Sequence, residues 1–175
     1  YRHVHADDMT EEIIADGLAY NGPVRRSRGQ AVHDFVLLCD LEVLRGSGSF
    51  ACRLGDGRDS VKVEIPIGSP ASIRLSQDDG DAISTGQHPL HAGKTYRLEF
   101  AFVDRRAMFA VDGKEVVTAI DLPTDIRTHT ARRGVSRPLQ LGARGVDVVL
   151  RNLRLMRDIH YRAEGTHATV TSFRL

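Results

Sequence analysis

Asp40 and Glu42 are the first residues in this chain whose types and spacing suggest chemistry. They stand two apart in Asp34–Val43, DFVLLCDLEV, and residues two apart on a strand share a face. Two carboxyls on one face are the equipment of a retaining glycosidase, one as nucleophile and one as acid, when about 5–5.5 Å separates them. Neighbours two apart along a strand sit somewhat further apart than that. No third acid follows in a run such as E-x-D-x-x-E, so the plainer reading is a solvated face.

Three further groups have ligand-like composition. His3-x-His5 with Asp7-Asp8, and His88-x-x-His91, each lack a third and fourth ligand in a recognisable frame. Asp78-Asp79-Gly80-Asp81 offers oxygens suited to Ca²⁺, without the alternation and closing Glu of an EF-hand loop; an acidic turn is the simpler reading. A Ser–Lys or Ser–His pair is not in evidence. The three lysines, Lys62, Lys94 and Lys114, fall on a polar strand face, before a strand and in a hairpin turn. Cys39 and Cys52 are expected as free buried thiols, because cysteine packs as a small hydrophobe. No catalytic residue, no metal ligand and no cofactor is assigned, and the binding residues are unknown at this level.

The elements that must hold these residues are strands. The segment from Gly93 to Ile120, GKTYRLEFAFVDRRAMFAVDGKEVVTAI, reads as a three-stranded meander. Asp112-Gly113 suits a two-residue type I′ turn, which needs positive φ at both positions. Centring it pairs Phe109 with Val116 and Ala107 with Thr118. A second turn at Asp104-Arg105 pairs Phe102 with Ala107, Phe100 with Phe109 and Leu98 with Val111. Both registers place one apolar set on one face, from Tyr96 to Ile120, and a one-residue slip would turn that set into water.

Upstream, Phe35, Leu37, Cys39, Leu41 and Val43 alternate as one strand. Gly46-Ser47-Gly48 is expected to turn a hairpin into Phe50, Cys52 and Leu54, which would set Cys39 and Cys52 diagonally on adjacent strands. After a Gly55-Asp56-Gly57 turn come Val61–Ile67, with Pro66 marking an edge or a break, and Ala71–Leu75. Gln77–Gly93 reads as a long loop, and Asp121–Arg137 as another. Pro138–Gly142 is a short strand. Val146–Tyr161 is a long one whose apolar phase slips from even to odd positions, which predicts a β-bulge near Arg151-Asn152. A last strand is expected over about His167–Phe173. Residues 1–11 are taken as a lead-in and 12–175 as one domain.

Ten or eleven short strands without a persuasive helix imply an all-β, two-sheet antiparallel sandwich. The 41% hydrophobic and 27% charged composition is ordinary for a globular domain. A net charge of +1, with 21 Arg and 3 Lys strewn through the sequence, supports neither nucleic-acid binding nor an anionic membrane partner. The longest apolar run, Phe35–Cys39, is too short to span a bilayer. With Tyr1 as first residue, the chain is expected to be a soluble piece of a longer protein.

The D-G-K turn and the strand GVDVVLRNLRLMRDI at Gly145 resemble the laminin-G and concanavalin-A-like jelly rolls. A narrower resemblance runs through YRH at Tyr1, IADGLAYN at Ile14, DFVLLCDLEV at Asp34, TYRLEFAFVDRR at Thr95, VDG at Val111 and LGARGVDVVLRNLRLMRDIHY at Leu141. Together these are similar to the large inserted domain of planctomycete-type type I signal peptidases. That resemblance implies a membrane-anchored parent with a Ser–Lys dyad in its flanks, and an extracytoplasmic, non-catalytic domain here. It implies partners in the flanking protease, in preproteins or in envelope glycans. No catalytic residue of that family maps onto any position of this chain. Where the resembling jelly rolls carry a large aromatic beside V-D-G, this chain has Ala110, and it contains no Trp. A lectin-like carbohydrate-binding module is the other reading.

Overall fold

The computed structural model describes residues 11–16, 30–123 and 133–157. The expected last strand at His167–Phe173, His3, His5, Asp7, Asp8 and Tyr161 lie outside the described residues. The described residues form ten strands and no helix. β1 (Ala15–Asp16) and β2 (Gln30–Ala31) pair as a small separate sheet. The remainder are β3 (Phe35–Gly55), β4 (Ser60–Ile67), β5 (Ile73–Gln77), β6 (Ala82–Gly86), β7 (Lys94–Val103), β8 (Arg106–Val111), β9 (Lys114–Asp121) and β10 (Leu139–Arg157). All their pairings are antiparallel, in the order β6-β5-β4-β3-β7-β8-β9, with β10 on the other edge of β3.

One hydrogen-bonded sheet becomes two layers because β3 and β10 turn a corner together. The first half of β3, Phe35–Val43, pairs with β7, and the second half, Gly48–Gly55, with β4. Between them the inward-facing positions switch from odd (35 to 43) to even (50 to 54). The expected hairpin at Gly46-Ser47-Gly48 is therefore this corner in one 21-residue strand. A hairpin and a corner both change the apolar phase, so the alternation alone did not separate them. Glycine is required here by close approach: a Cβ on Gly48 would lie 2.0 Å from the Arg144 carbonyl oxygen of β10. The two inner faces meet in one hydrophobic cluster, with Leu37, Leu41, Phe100 and Phe109 from one layer and Phe50, Leu54, Ile65 and Leu75 from the other.

The far edges of the layers also meet. A Cβ on Gly86 of β6 would stand 1.4 Å from the Val116 carbonyl oxygen of β9. Only a residue without a side chain lets these backbones come so near. β6 itself lies within the stretch expected as a loop. Its Ser/Thr/Gly composition gave no apolar alternation, yet it pairs with β5.

The meander holds its expected register in part. Leu98↔Val111, Phe100↔Phe109 and Phe102↔Ala107 are the observed partners, and both turns have positive φ at Asp104, Arg105, Asp112 and Gly113. The second register is corrected: Phe109 faces Val117 and Ala107 faces Ile120, because β8 and β9 shift past each other at two irregularities. Val117 accordingly takes the buried place, and Val116 is half-buried. Pro138–Gly142 and the long strand after it are one strand, β10, whose register shifts three times against β3, once between Arg151 and Arg154 as the phase slip predicts.

A buried ionic knot closes one end of the sandwich. His33, just before β3, bonds through Nδ1 to the Asp56 carbonyl oxygen just after it at 2.7 Å. Arg105, 6% exposed, lies in the β7–β8 turn. Its Nη1 donates to Asp59 Oδ2 at 2.6 Å and stands 3.5 Å from Asp56 Oδ2, while Nη2 donates to the Pro123 carbonyl oxygen at 3.0 Å. Asp34 Oδ1 accepts from the Asp104 amide at 2.8 Å. Breaking a buried pair leaves the partner charges uncompensated. Arg105→Met is expected to lower the unfolding free energy by about 3–5 kcal/mol, read from the urea midpoint.

Cys39 and Cys52 are both free and buried. They sit on the two halves of β3 and project into the core from opposite layers, not on adjacent hairpin strands. Burial, helped by the nearby Asp40 carboxylate, pushes the Cys39 thiol up to about 11. Burial and then Cys39 push Cys52 higher still. Both folded values exceed the ordinary 9.0, so the folded state holds these protons more tightly than the unfolded state. The Cys39 contribution is complete below about pH 9 and is lost as pH rises through about 11, while that of Cys52 persists to higher pH. Denaturant midpoints are expected to fall across that window in the native chain, and less so in a Cys39→Ala, Cys52→Ala protein.

Candidate functional site

A β-bulge builds the polar group that stands out on the surface. Along a regular strand, Arg151 and Asn152 would point to opposite faces. The register shift between Arg151 and Arg154, with Asn152 at φ 51°, turns both toward the outer face of β3. Arg151 Nε donates to Glu42 Oε2 at 2.9 Å, and Asn152 Nδ2 donates to Asp40 Oδ2 at 2.6 Å. The register puts Arg97 of β7 opposite Asp40 on its other side, and Arg97 Nε pairs with Glu99 Oε1 at 3.2 Å. The β8–β9 turn clamps this part of β7: Asp112 Oδ1 accepts the Arg97 amide at 2.8 Å, and the Asp112 amide donates to the Arg97 carbonyl oxygen at 2.8 Å.

The two acids singled out from sequence are thus brought to one face, as their spacing requires. Their chemistry differs from a glycosidase pair. Glu42 is bonded to a guanidinium and Asp40 to an amide, and both are half-buried on an open sheet. General acid catalysis needs a carboxyl kept protonated in an apolar, water-poor place, which this face does not supply. What it does supply is hydrogen bonding. Among the described residues one oxygen of each carboxylate, Asp40 Oδ2 and Glu42 Oε2, is engaged, which leaves the second as an acceptor. Exposed Arg97, Arg151 and Asn152 add donors.

Beside these groups runs an apolar strip. Register aligns Met156 of β10, Val36 of β3, Ala101 of β7 and Met108 of β8 across four strands. Met156 and Met108 are 43% and 38% exposed. Leu38 and Ala110 widen the strip toward Asp40. None of these is aromatic. A cleft of about 350 Å³ adjoins Met156 around the edge of β10, lined among the described residues by Ile14, Phe35, Leu139, Leu155 and Arg157; Arg157 donates to the Ala15 carbonyl oxygen at 3.0 Å.

Of the other sequence candidates within the described residues, Asp78, Asp79, His88 and His91 have structural neighbours. Asp78 Oδ1 accepts from the Ser60 amide and hydroxyl at 3.0 and 2.9 Å. Asp79 bonds to Arg53 and lies 3.5 Å from Lys62 Nζ, and Arg53 first, then Lys62, holds its carboxyl below the ordinary value. His88 packs edge-on to Tyr96 at 6.3 Å, and the Tyr96 hydroxyl accepts the His91 amide at 2.9 Å. No group of three metal-ligating side chains occurs among the described residues. Sequence reasoning missed Arg97, Arg151 and Asn152. The phase slip did flag Arg151-Asn152, and its meaning for function was the unread part: a bulge re-aims side chains.

No protein-family model matches the chain, and no curated protein matches it. Two solved structures are similar to it in chain path. The carbohydrate-binding module CBM66 from Bacillus subtilis has a TM-score of 0.46 and 15% identity, over 70% of this chain and 74% of that one. Sheep galectin-11 in complex with glycerol has a TM-score of 0.46 and 13% identity, over 73% of this chain and 95% of that one.

The bulge predicts a split among substitutions. Asn152→Gly removes the side chain but accepts positive φ, so stability is expected to stay within about 1 kcal/mol. Asn152→Val puts a β-branched residue at φ 51° and is expected to cost about 1–3 kcal/mol. Thermal melts of the two proteins compare these directly.

Proposed function

We propose that this β-sandwich is a non-catalytic recognition module that binds carbohydrate on the outer face of β10, β3 and β7. The observation that carries the reading is the bulge at Asn152. It holds a strained backbone so that two consecutive side chains reach Asp40 and Glu42 on one open face. Strain of that kind collects where side-chain placement matters to function. The face it builds has carboxylate oxygens, guanidinium and amide donors, and an adjacent aliphatic strip. Sugars present hydroxyls and C–H surfaces to match these two halves. With no aromatic residue for stacking, affinity rests on hydrogen bonds made in competition with water, each worth about 0.5–1.5 kcal/mol net. Dissociation constants near 1 mM, about −4.1 kcal/mol, are the scale expected.

Affinity electrophoresis or calorimetric titration against a panel of soluble polysaccharides tests this. Saturable binding is expected, and Asp40→Ala should weaken it about tenfold with the melting temperature nearly unchanged, since exposed polar pairs add little to stability. Absence of binding across the panel by a folded protein would overturn the reading.

A second reading rests on the ordered segments from YRH at Tyr1 to LGARGVDVVLRNLRLMRDIHY at Leu141. It makes this sandwich the non-catalytic extracytoplasmic insert of a signal-peptidase-like, membrane-anchored parent, scaffolding the flanking protease or docking preproteins or envelope components. The residues encoded before Tyr1 and after Leu175 test it. A hydrophobic span with S-M-x-P upstream and G-D-N-S downstream is the expected finding, and unrelated flanks would contradict it.

A further inference from the structure

Resting on the carbohydrate reading, we propose that the ligand is an uncharged oligosaccharide lying across the strands. Charge comes first. Among the described residues of β10, β3 and β7, six ionised side chains occupy the face, Asp40, Glu42 and Glu99 against Arg97, Arg151 and Arg154, so their formal charges cancel. Glu42 and Glu99 are each paired with an arginine, and Asp40 has Arg97 and Arg151 as its opposite neighbours. A sulfated or uronic glycan would need to displace Glu99 from Arg97 and Glu42 from Arg151 and then sit beside those carboxylates, at a cost in like-charge repulsion; Arg154 alone could meet it without displacement. An uncharged polyol takes the remaining oxygens and donors without breaking any pair.

Length and direction follow from register. The apolar row of Met156, Val36, Ala101 and Met108 crosses four strands, which at about 4.7–4.9 Å per strand spans about 14–15 Å. The polar row of Arg151, Asp40 and Arg97 runs parallel to it, across three strands. Between them stand Leu38 and Ala110, together with Arg154 and Glu99. The two rails, one apolar and one hydrogen-bonding, stand four residues apart along β3, about 13 Å, so a chain of several sugar rings lying perpendicular to the strands rests over the row between them and reaches each rail by the substituents along its edges. A single ring covers only part of either rail. Asn152 is the residue on which the polar rail turns, because its amide fixes Asp40 and its φ fixes the bulge.

Calorimetric titration of the native chain with an uncharged oligosaccharide series of increasing length, and with a sulfated polysaccharide, at low and high salt, tests this. Affinity is expected to rise at least about tenfold from one ring to four, to be insensitive to salt, and to exceed that for the sulfated chain. Asn152→Gly should lose about tenfold, and Ala101→Glu, which sets a charge in the apolar rail, should lose the gain with length. Tighter, salt-sensitive binding of the sulfated chain, or affinity independent of length, would overturn this inference and leave carbohydrate binding standing. No binding of any glycan by the folded chain would overturn the carbohydrate reading itself, and this inference with it.

Discussion

The structure depends on β3 folding back over itself. Its 21 residues, if straight, would hold its ends far apart. Instead His33 before it and Asp56 after it share a hydrogen bond of 2.7 Å. That closure sets one half of the strand above the other, so their inner faces make the core. It also allows β4 and β7 to pair along one edge without competing. Arg105 locks the closure, tying the β7–β8 turn to the β3–β4 turn through Asp56 and Asp59.

A partner strand that follows such a corner cannot keep perfect register. β10 lies along the whole of β3 and shifts three times, each shift adding local bend and twist. Two of the shifts fall at the corner, around Gly145-Val146 and Asp147-Val148. The third, at Arg151–Arg154, lies on the straight half and gathers Arg151 and Asn152 above Asp40 and Glu42. The device that lets the ribbon fit thus also places the polar group on the outer face.

Much of this was legible in the sequence, for definable reasons. Alternation gave the inner faces of β3, β4 and β7, and turn chemistry at Asp104-Arg105 and Asp112-Gly113 gave the first meander register. The phase slip gave the bulge. Gly46-Ser47-Gly48 was misread because a glycine corner and a glycine hairpin break alternation alike, and only the long-range partner, β10, distinguishes them. β6 was missed because Ala82–Gly86, AISTG, has no apolar alternation, its one large apolar side chain, Ile83, being exposed, and its strand state is set by β5 and β9. The site was half legible: Asp40 and Glu42 share a face by spacing, whereas Arg97 and Asn152 join them through pairings more than fifty residues away in sequence. Two carboxylates on one strand face admit hydrolysis but read more plainly as a solvated face, and the structure bonds them to Arg151 and Asn152.

If ligand meets the chain on the outer face of β10, β3 and β7, as proposed, amide chemical shifts during titration with an uncharged oligosaccharide will locate it there. The amides of Asp40, Arg97, Asn152 and Ala101 are expected to shift together along one saturable curve, with inner-face and corner residues still. Shifts confined to the corner around Ser47, to the cleft around Leu139, or to no residue at all would contradict it.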